Sequence, residues 1–224
     1  MHKQSMAFIL LTSLFWGEVA YGHGLPSFTE LIEAASPAVV KIEAVQAEQI
    51  QSVPQLRPND IPKIFQDLFE RYSKRNHIDV TWSIAISRRE SSFAPDARSH
   101  ANARGLMQLL PSTAKYVNKG TVSGARLNQA NTNIRLGTEY LEYLKKKNRG
   151  NEVLATASYN AGYHRIKKWL PDEAMPAELW IELIPYRETR EYVKNVYAYR
   201  QVYHTRLGRE GNILAPILDM KMGG

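Results

Sequence analysis

The stretch from Ile84 to Ala114, IAISRRESSFAPDARSHANARGLMQLLPSTA, constrains this chain more than any other. It opens as an apolar helical run and reaches Glu90 where helix signals fail. Pro95 lacks a backbone N–H and disfavours helix in the residue before it. The pattern predicts a helix from Val80 to Ser91 with Asp79 as its N-cap. Ile84, Ala85 and Ile86 are expected inside, Arg88 and Arg89 outside. A loop over 94–104 follows, then a second apolar run that opens with Gly105-Leu106-Met107-Gln108. Glu90 thus falls in the last turn of a core-facing helix, at the edge of an opening. Desolvation there disfavours the charged carboxylate and raises its pKa, the condition for a protonated acid at neutral pH. Read by itself, a glutamate is far more often a solvated surface group.

The segments on either side read as follows. Residues 1–22 have the form of a secretory signal peptide: Lys3, a short apolar run from Met6 to Trp16, and small residues at Ala20-Tyr21-Gly22. The run is too short to span a bilayer. Residues 28–35 are expected as a short helix and 38–45 as a strand. Pro54, Pro58 and Pro62 mark a linker. Asp60 is expected to cap an amphipathic helix with Ile64, Phe65, Leu68, Phe69 and Tyr72 on one face. Downstream, Ile134, Leu136, Tyr140, Leu141 and Leu144 form the buried side of a longer helix that stops at Gly150. Ala155, Ala157 and Ser158 permit close helix packing, and a last helix is expected from Asn195 to Leu207. Residues 211–224 read as a tail.

Composition narrows the chemistry. There are no cysteines among the 224 residues, so disulfides and thiolate metal sites are excluded. Lys and Arg number 29 against 22 Asp and Glu, a net charge of +7 that suits a polyanionic partner. The basic residues are scattered and no nucleic-acid motif appears.

A set of motifs in order carries a family resemblance. These are Arg89-Glu90-Ser91, Ser99, Gly105-Leu106-Met107-Gln108, Pro111 with Thr113-Ala114, Tyr159-Asn160-Ala161-Gly162, and Pro185 to Val193 with its Glu188-Thr189-Arg190 centre. From about Asn76 to Tyr203 the chain resembles the soluble lytic murein transglycosylases, lysozyme-like enzymes that cut peptidoglycan without water. The resemblance implies a mainly α, goose-type lysozyme-like domain over 76–210, with an extension and linker over 23–75. It implies cleavage of the MurNAc-β-1,4-GlcNAc bond with formation of 1,6-anhydro-MurNAc, and Glu90 as the single general acid and base. Substrate contacts follow at Ser99, near the sugar N-acetyl group, and at Gln108, Tyr159, Asn160, Glu188 and Tyr192. Arg190 is expected to pair with a carboxylate. No metal or cofactor is implied. The implied partner is the peptidoglycan glycan strand, in the periplasm, with no nucleic acid. Asn102 stands where the family usually has Gly, and Leu110 where many members have Met.

Other readings share these residues. A goose-type hydrolase would use the same fold, and a wall-binding domain would hold glycan without cutting it. Paired-carboxylate glycosidases need a second acid at a set distance; Asp96 is nearest but its direction on the loop is not fixed, and Glu188 by the resemblance binds rather than attacks, so a single-acid scheme fits better. SPAVVKIEAV and IPKIFQDLFER also resemble the opening of periplasmic HtrA-type serine proteases. No Gly-x-Ser-x-Gly nucleophile motif follows, so the extension is left as an arm that packs on the domain or meets a protein partner.

Overall fold

The computed structural model describes residues 61–224. The expectations for the signal peptide, the 28–35 helix, the 38–45 strand and Asp60 lie outside the described residues. The described chain is mainly helical. Its longer helices are α1 (Lys63–Arg75), α2 (Val80–Ser91), α3 (Pro111–Asn118), α5 (Ala130–Lys147), α6 (Glu152–Ala161) and α9 (Arg187–Arg206). Shorter ones are α4 (Gly124–Leu127), α7 (Tyr163–Lys168), α8 (Ala177–Glu182) and α10 (Ala215–Leu218). Two short strands, β1 (Met175–Pro176) and β2 (Lys221–Met222), pair antiparallel.

Helix α2 is the centre of the domain. It is buried on every side from Val80 to Ser87, as expected of a helix enclosed by others. Burial of its polar residues requires partners, and each finds one. Ser83 Oγ donates to the Val80 carbonyl at 2.9 Å and Ser87 Oγ to the Leu106 carbonyl at 3.0 Å. Trp82 Nε1 donates to Thr156 Oγ1 at 2.9 Å, tying α2 to α6. Asp79 caps α2 by accepting from Thr81 N at 2.8 Å.

Helix α9 packs along α2 and feeds two cores. Tyr192, Val196 and Tyr203 join Trp82, Ile84, Ile86, Leu106, Met107 and Ile134 in the first. Val193 and Tyr197, one position round the helix, join Val153, Ile166, Trp180 and Ile181 in the second. A third, smaller core of Leu109, Ala114, Leu127 and Leu136 holds α3 and α4 against α5.

Some expectations hold and others need correction. Helix α1 begins at Lys63, with Pro62 in the N-cap position. Of the face expected inside α1, Phe69 and Tyr72 are buried in the first core, whereas Ile64 in its first turn is 75% exposed. Helix α9 starts at Arg187 rather than Asn195, because the Ile184-Pro185-Tyr186 turn completes before it. The expected stop of α5 holds: the helix ends at Lys147, and Gly150, at φ 87°, returns its N–H to the Lys145 carbonyl at 2.8 Å. The expected tail is folded: Leu214, Ile217 and Met222 close the second core, and β2 pairs with β1. The hydrophobic positions there are too few to show a period, so only packing reveals them.

Candidate active site

Glu90 lies in the last turn of α2, as the helix signals predict. The helix ends at Ser92, whose φ of 52° is left-handed, and Phe93 continues in the same region at 66°. Two successive non-glycine residues in this region are unfavourable and persist only where packing over-determines them. Buried Phe93, edge-on to Tyr203 at 6.1 Å, supplies that packing. The chain therefore turns sharply two residues before Pro95, and the loop over 94–104 begins beside Glu90.

This loop is fixed by backbone bonds. Arg104 pairs with both Arg98 and Leu109. Gly105 adopts φ +75°, and a Cβ there would lie 2.3 Å from Asn133 Nδ2 and 2.4 Å from the Leu127 carbonyl. Close approach is thus the reason for glycine. Asn133, fully buried at the start of α5, accepts from Met107 N at 2.7 Å and donates to the carbonyls of Arg104 and Leu127, each at 2.8 Å. Ser87 and Ser91 both donate to the Leu106 carbonyl, at 3.0 and 2.8 Å. The Gly105–Gln108 turn is clamped between α2 and α5 by these contacts. Asn133 and Ser87 were not foreseen as site-supporting residues. The one local signal was an asparagine on the buried face of an apolar helix.

Glu90 is half-buried, and Tyr192 Oη donates to its Oε1 at 2.7 Å. Burial raises its pKa from 4.5 to about 7, opposed by the Tyr192 hydrogen bond and the Arg89 charge and assisted by the Glu188 charge. Tyr192 and Tyr159 are themselves held well above the ordinary tyrosine value, first by burial and then by the negative charge of Glu90. Both hydroxyls therefore stay protonated as donors. Arg88 and Arg89 are half-buried rather than outward; their guanidinium carbons lie 5.6 and 5.5 Å from the ring centroids of Tyr199 and Tyr192.

Of the remaining candidates, Tyr159 and Glu188 lie close enough to Glu90 for its charge to be felt, and Asn160 joins them through Glu188. Tyr159 Oη donates to the Met107 carbonyl at 2.8 Å, which joins α6 to the Gly105–Gln108 turn. Gln108, at φ 45°, spends its amide nitrogen on the carbonyls of Ala97 and Gly105 at 3.0 and 2.9 Å. Ser99 is exposed and its Oγ accepts from Ala103 N at 3.0 Å. Asn102 takes the left-handed conformation at φ 63°, the geometry for which an asparagine can replace glycine. Asn160 Nδ2 donates to Glu188 Oε1 at 3.2 Å, while its Oδ1 accepts from Thr189 Oγ1 at 2.7 Å. Glu188 is exposed in the first turn of α9. Asp96 is exposed on its loop. Arg190 does not meet a carboxylate in the contacts of its Nη1, which donates to the carbonyls of Glu182 and Ile184 at 3.0 and 3.3 Å. That bond pair closes the turn ahead of α9, where free carbonyls at the end of α8 need donors. Trp169 packs on the second core and meets Tyr186 edge-on at 4.9 Å.

A half-buried acid at a helix end, beside a clamped glycine turn, is the candidate centre of a mainly helical, lysozyme-like fold. Residues 67–178 match the transglycosylase SLT domain, and residues 183–211 match the soluble lytic transglycosylase helical domain. The chain belongs to the SLT transglycosylase family. It is 37% identical over 161 residues to the soluble lytic murein transglycosylase of Escherichia coli K12, covering 69% of this chain and 25% of that protein. A putative soluble lytic murein transglycosylase of Haemophilus influenzae is 40% identical over 156 residues, 67% of this chain and 26% of that protein. Among solved structures, an inactive mutant of the lytic transglycosylase Slt from Pseudomonas aeruginosa superposes with a TM-score of 0.66 at 36% identity. It covers 84% of this chain and 32% of that one. The 70 kDa soluble lytic transglycosylase of E. coli gives a TM-score of 0.64 at 33% identity, over 83% of this chain and 32% of that one. This chain spans about a quarter of the length of these curated relatives.

Proposed function

We propose that the protein is a peptidoglycan lytic transglycosylase in which Glu90 serves as both general acid and general base. The observation that carries this is the Glu90 carboxyl itself. Burial places its pKa at about 7, so the protonated and ionised forms are both accessible at neutral pH. Protonated Glu90 donates to the oxygen that bridges N-acetylmuramic acid and N-acetylglucosamine, and the C1–O bond breaks. The acetamido group of the substrate stabilises the cation that develops at C1. Ionised Glu90 then takes the proton of the C6 hydroxyl, whose oxygen closes onto C1. The product is a 1,6-anhydro sugar, and Glu90 ends protonated as it began. Tyr192 steadies the ionised intermediate by donating to Oε1.

The other contacts follow from what each group has left to offer. Ser99 accepts a backbone hydrogen bond and keeps its own hydroxyl proton for the N-acetyl group. Gln108 has committed its amide nitrogen and presents its carbonyl oxygen to the sugar. Asn160 and Glu188, joined to each other, form the opposite wall. Tyr159 sets the Met107 backbone beneath the scissile unit. We place the catalytic domain from α1 onward, because α1 and the C-terminal segment share its cores. A wall substrate of this kind assigns the protein to the periplasm. Among the described residues no helix is long and apolar enough to cross a membrane.

Mass spectrometry of fragments released from purified peptidoglycan tests the reading. Anhydro-muropeptides are expected with the wild type and none with Glu90→Gln. Products heavier by one water would instead make the protein a hydrolase, and full turnover by Glu90→Gln would remove Glu90 from the mechanism.

A further inference from the structure

A row of tyrosine rings leads away from the acid. Tyr159 is its root, bonded through its hydroxyl to the Met107 carbonyl. Tyr140, on α5, lies 5.4 Å from Tyr159 between ring centroids, and Tyr143 stacks on Tyr140 at 6.0 Å with an interplanar angle of 18°. Tyr116, on α3, meets Tyr143 edge-on at 5.3 Å. The inner rings are packed against the cores, and the outer end is open: Tyr116 is 61% exposed.

A cation stands at the same end. Exposed Lys147, one turn beyond Tyr143, donates through Nζ to Tyr143 Oη at 2.9 Å. It also lies 5.3 and 4.4 Å from the ring centroids of Tyr143 and Tyr163. It forms part of the wall of a hollow of about 610 Å³ that Arg149, Lys167 and Lys221 also line.

A large apolar ring left mostly in water gains little from folding, so the core does not explain Tyr116. The row instead joins the candidate cleft to an exposed ring and an ammonium group. A pyranose presents a face of C–H bonds with partial positive charge, which suits the negative face of a tyrosine ring. A muramyl residue also carries an acidic substituent, which suits a lysine ammonium.

We propose that Tyr116, Tyr143 and Lys147 form an outer subsite of the glycan cleft, holding a muramyl saccharide remote from the bond that Glu90 cleaves. The ring of Tyr116 takes the sugar face, and Lys147, oriented by Tyr143, takes the acidic substituent. The inference rests on the reading of the cleft as a peptidoglycan site and adds a preference for long strands.

Glycan strands of graded length test it, using Tyr116→Ala, Tyr116→Phe and Lys147→Gln in the full chain. The KM for long strands should rise about fivefold in Tyr116→Ala, the ratio that one aromatic contact of ordinary strength carries. Tyr116→Phe should retain the wild-type value, since it keeps the ring. Lys147→Gln should weaken long strands with free carboxylates, on the stem or on the lactyl group, and should not weaken the same strands once their carboxyls are amidated. A KM unchanged in all three variants, or raised equally for short and long fragments, overturns the subsite. The same substitutions in the Glu90→Gln background, read as strand affinity by calorimetry, separate the two readings. There, loss of long-strand affinity supports the subsite even if the wild type makes no anhydro product, and unchanged affinity refutes it even if the wild type does.

Discussion

Tyr192 donates its hydroxyl to Glu90 Oε1 at 2.7 Å, across 102 residues of sequence. The two groups pull the Glu90 proton in opposite directions. Burial favours the neutral acid, and the Tyr192 hydroxyl favours the carboxylate; burial wins, and the pKa stands at about 7. An acid balanced in this way can lose and recover one proton within a single turnover.

Tyr192→Phe removes the donor and leaves the burial. Because that hydrogen bond lowers the Glu90 pKa, its loss raises it. Activity requires protonated Glu90 at the start, so it fails as pH rises through that pKa. The alkaline limb of kcat/KM against pH should therefore move to higher pH in Tyr192→Phe. A limb that stays in place would show that the hydroxyl does not govern the acid.

Stability should also report the Glu90 proton. The folded-state pKa of about 7 lies above the ordinary 4.5, so the folded state binds more protons between those values. Stability then falls as pH rises through this window and is unaffected below it. Glu90→Gln lacks the titration. Relative to it, the wild type should lose about 3 kcal/mol between pH 4 and pH 8, as read by urea unfolding at each pH. Parallel pH curves for the two proteins would argue against a raised pKa.

Asn133 should prove to be a positioning residue for the Gly105–Gln108 turn. Asn133→Ala leaves Met107 N and the Leu127 carbonyl without their partner and takes one of two donors from the Arg104 carbonyl, which keeps Leu109 N. Buried unpaired groups of this kind make a loss of about 3 kcal/mol the expected result in chemical denaturation. Asn133→Asp should fare no better, since its carboxylate would face two carbonyls that need donors. A turnover defect that persists in the folded fraction would place Asn133 behind the catalytic geometry as well as the fold.

Thr189→Val probes the opposite wall. The hydroxyl that donates to Asn160 Oδ1 at 2.7 Å is lost while the shape is kept. Asn160 then turns more freely and holds Glu188 less well. Stability should fall by about 1 kcal/mol, and the KM for glycan should rise with kcat little changed. Thr189→Ser, which keeps the hydroxyl, should restore the wild-type KM.

Local chemistry made much of this domain legible before any packing was known. The Asp79 cap and the end of α2 near Glu90 each depend on a few neighbouring residues. Such features are decided by hydrogen-bond capacity and φ preference within one turn of chain. The C-terminal segment was not legible, because Leu214, Ile217 and Met222 acquire meaning only beside Trp180 and Ile181. Arg190 was misread for a related reason: a guanidinium can donate to a carboxylate or to a carbonyl, and the acceptors that packing brought to it are the carbonyls of Glu182 and Ile184.

From its residues alone this chain determined a helical domain with one acid at a helix end and a glycine turn after it. Tertiary structure decided what surrounds that acid: a tyrosine from α9 and a second from α6, with an asparagine of α5 that clamps the turn. The reason is physical. Helix periods and caps are properties of contiguous residues, whereas desolvation and hydrogen bonding of Glu90 depend on which distant side chains the packed cores bring to it.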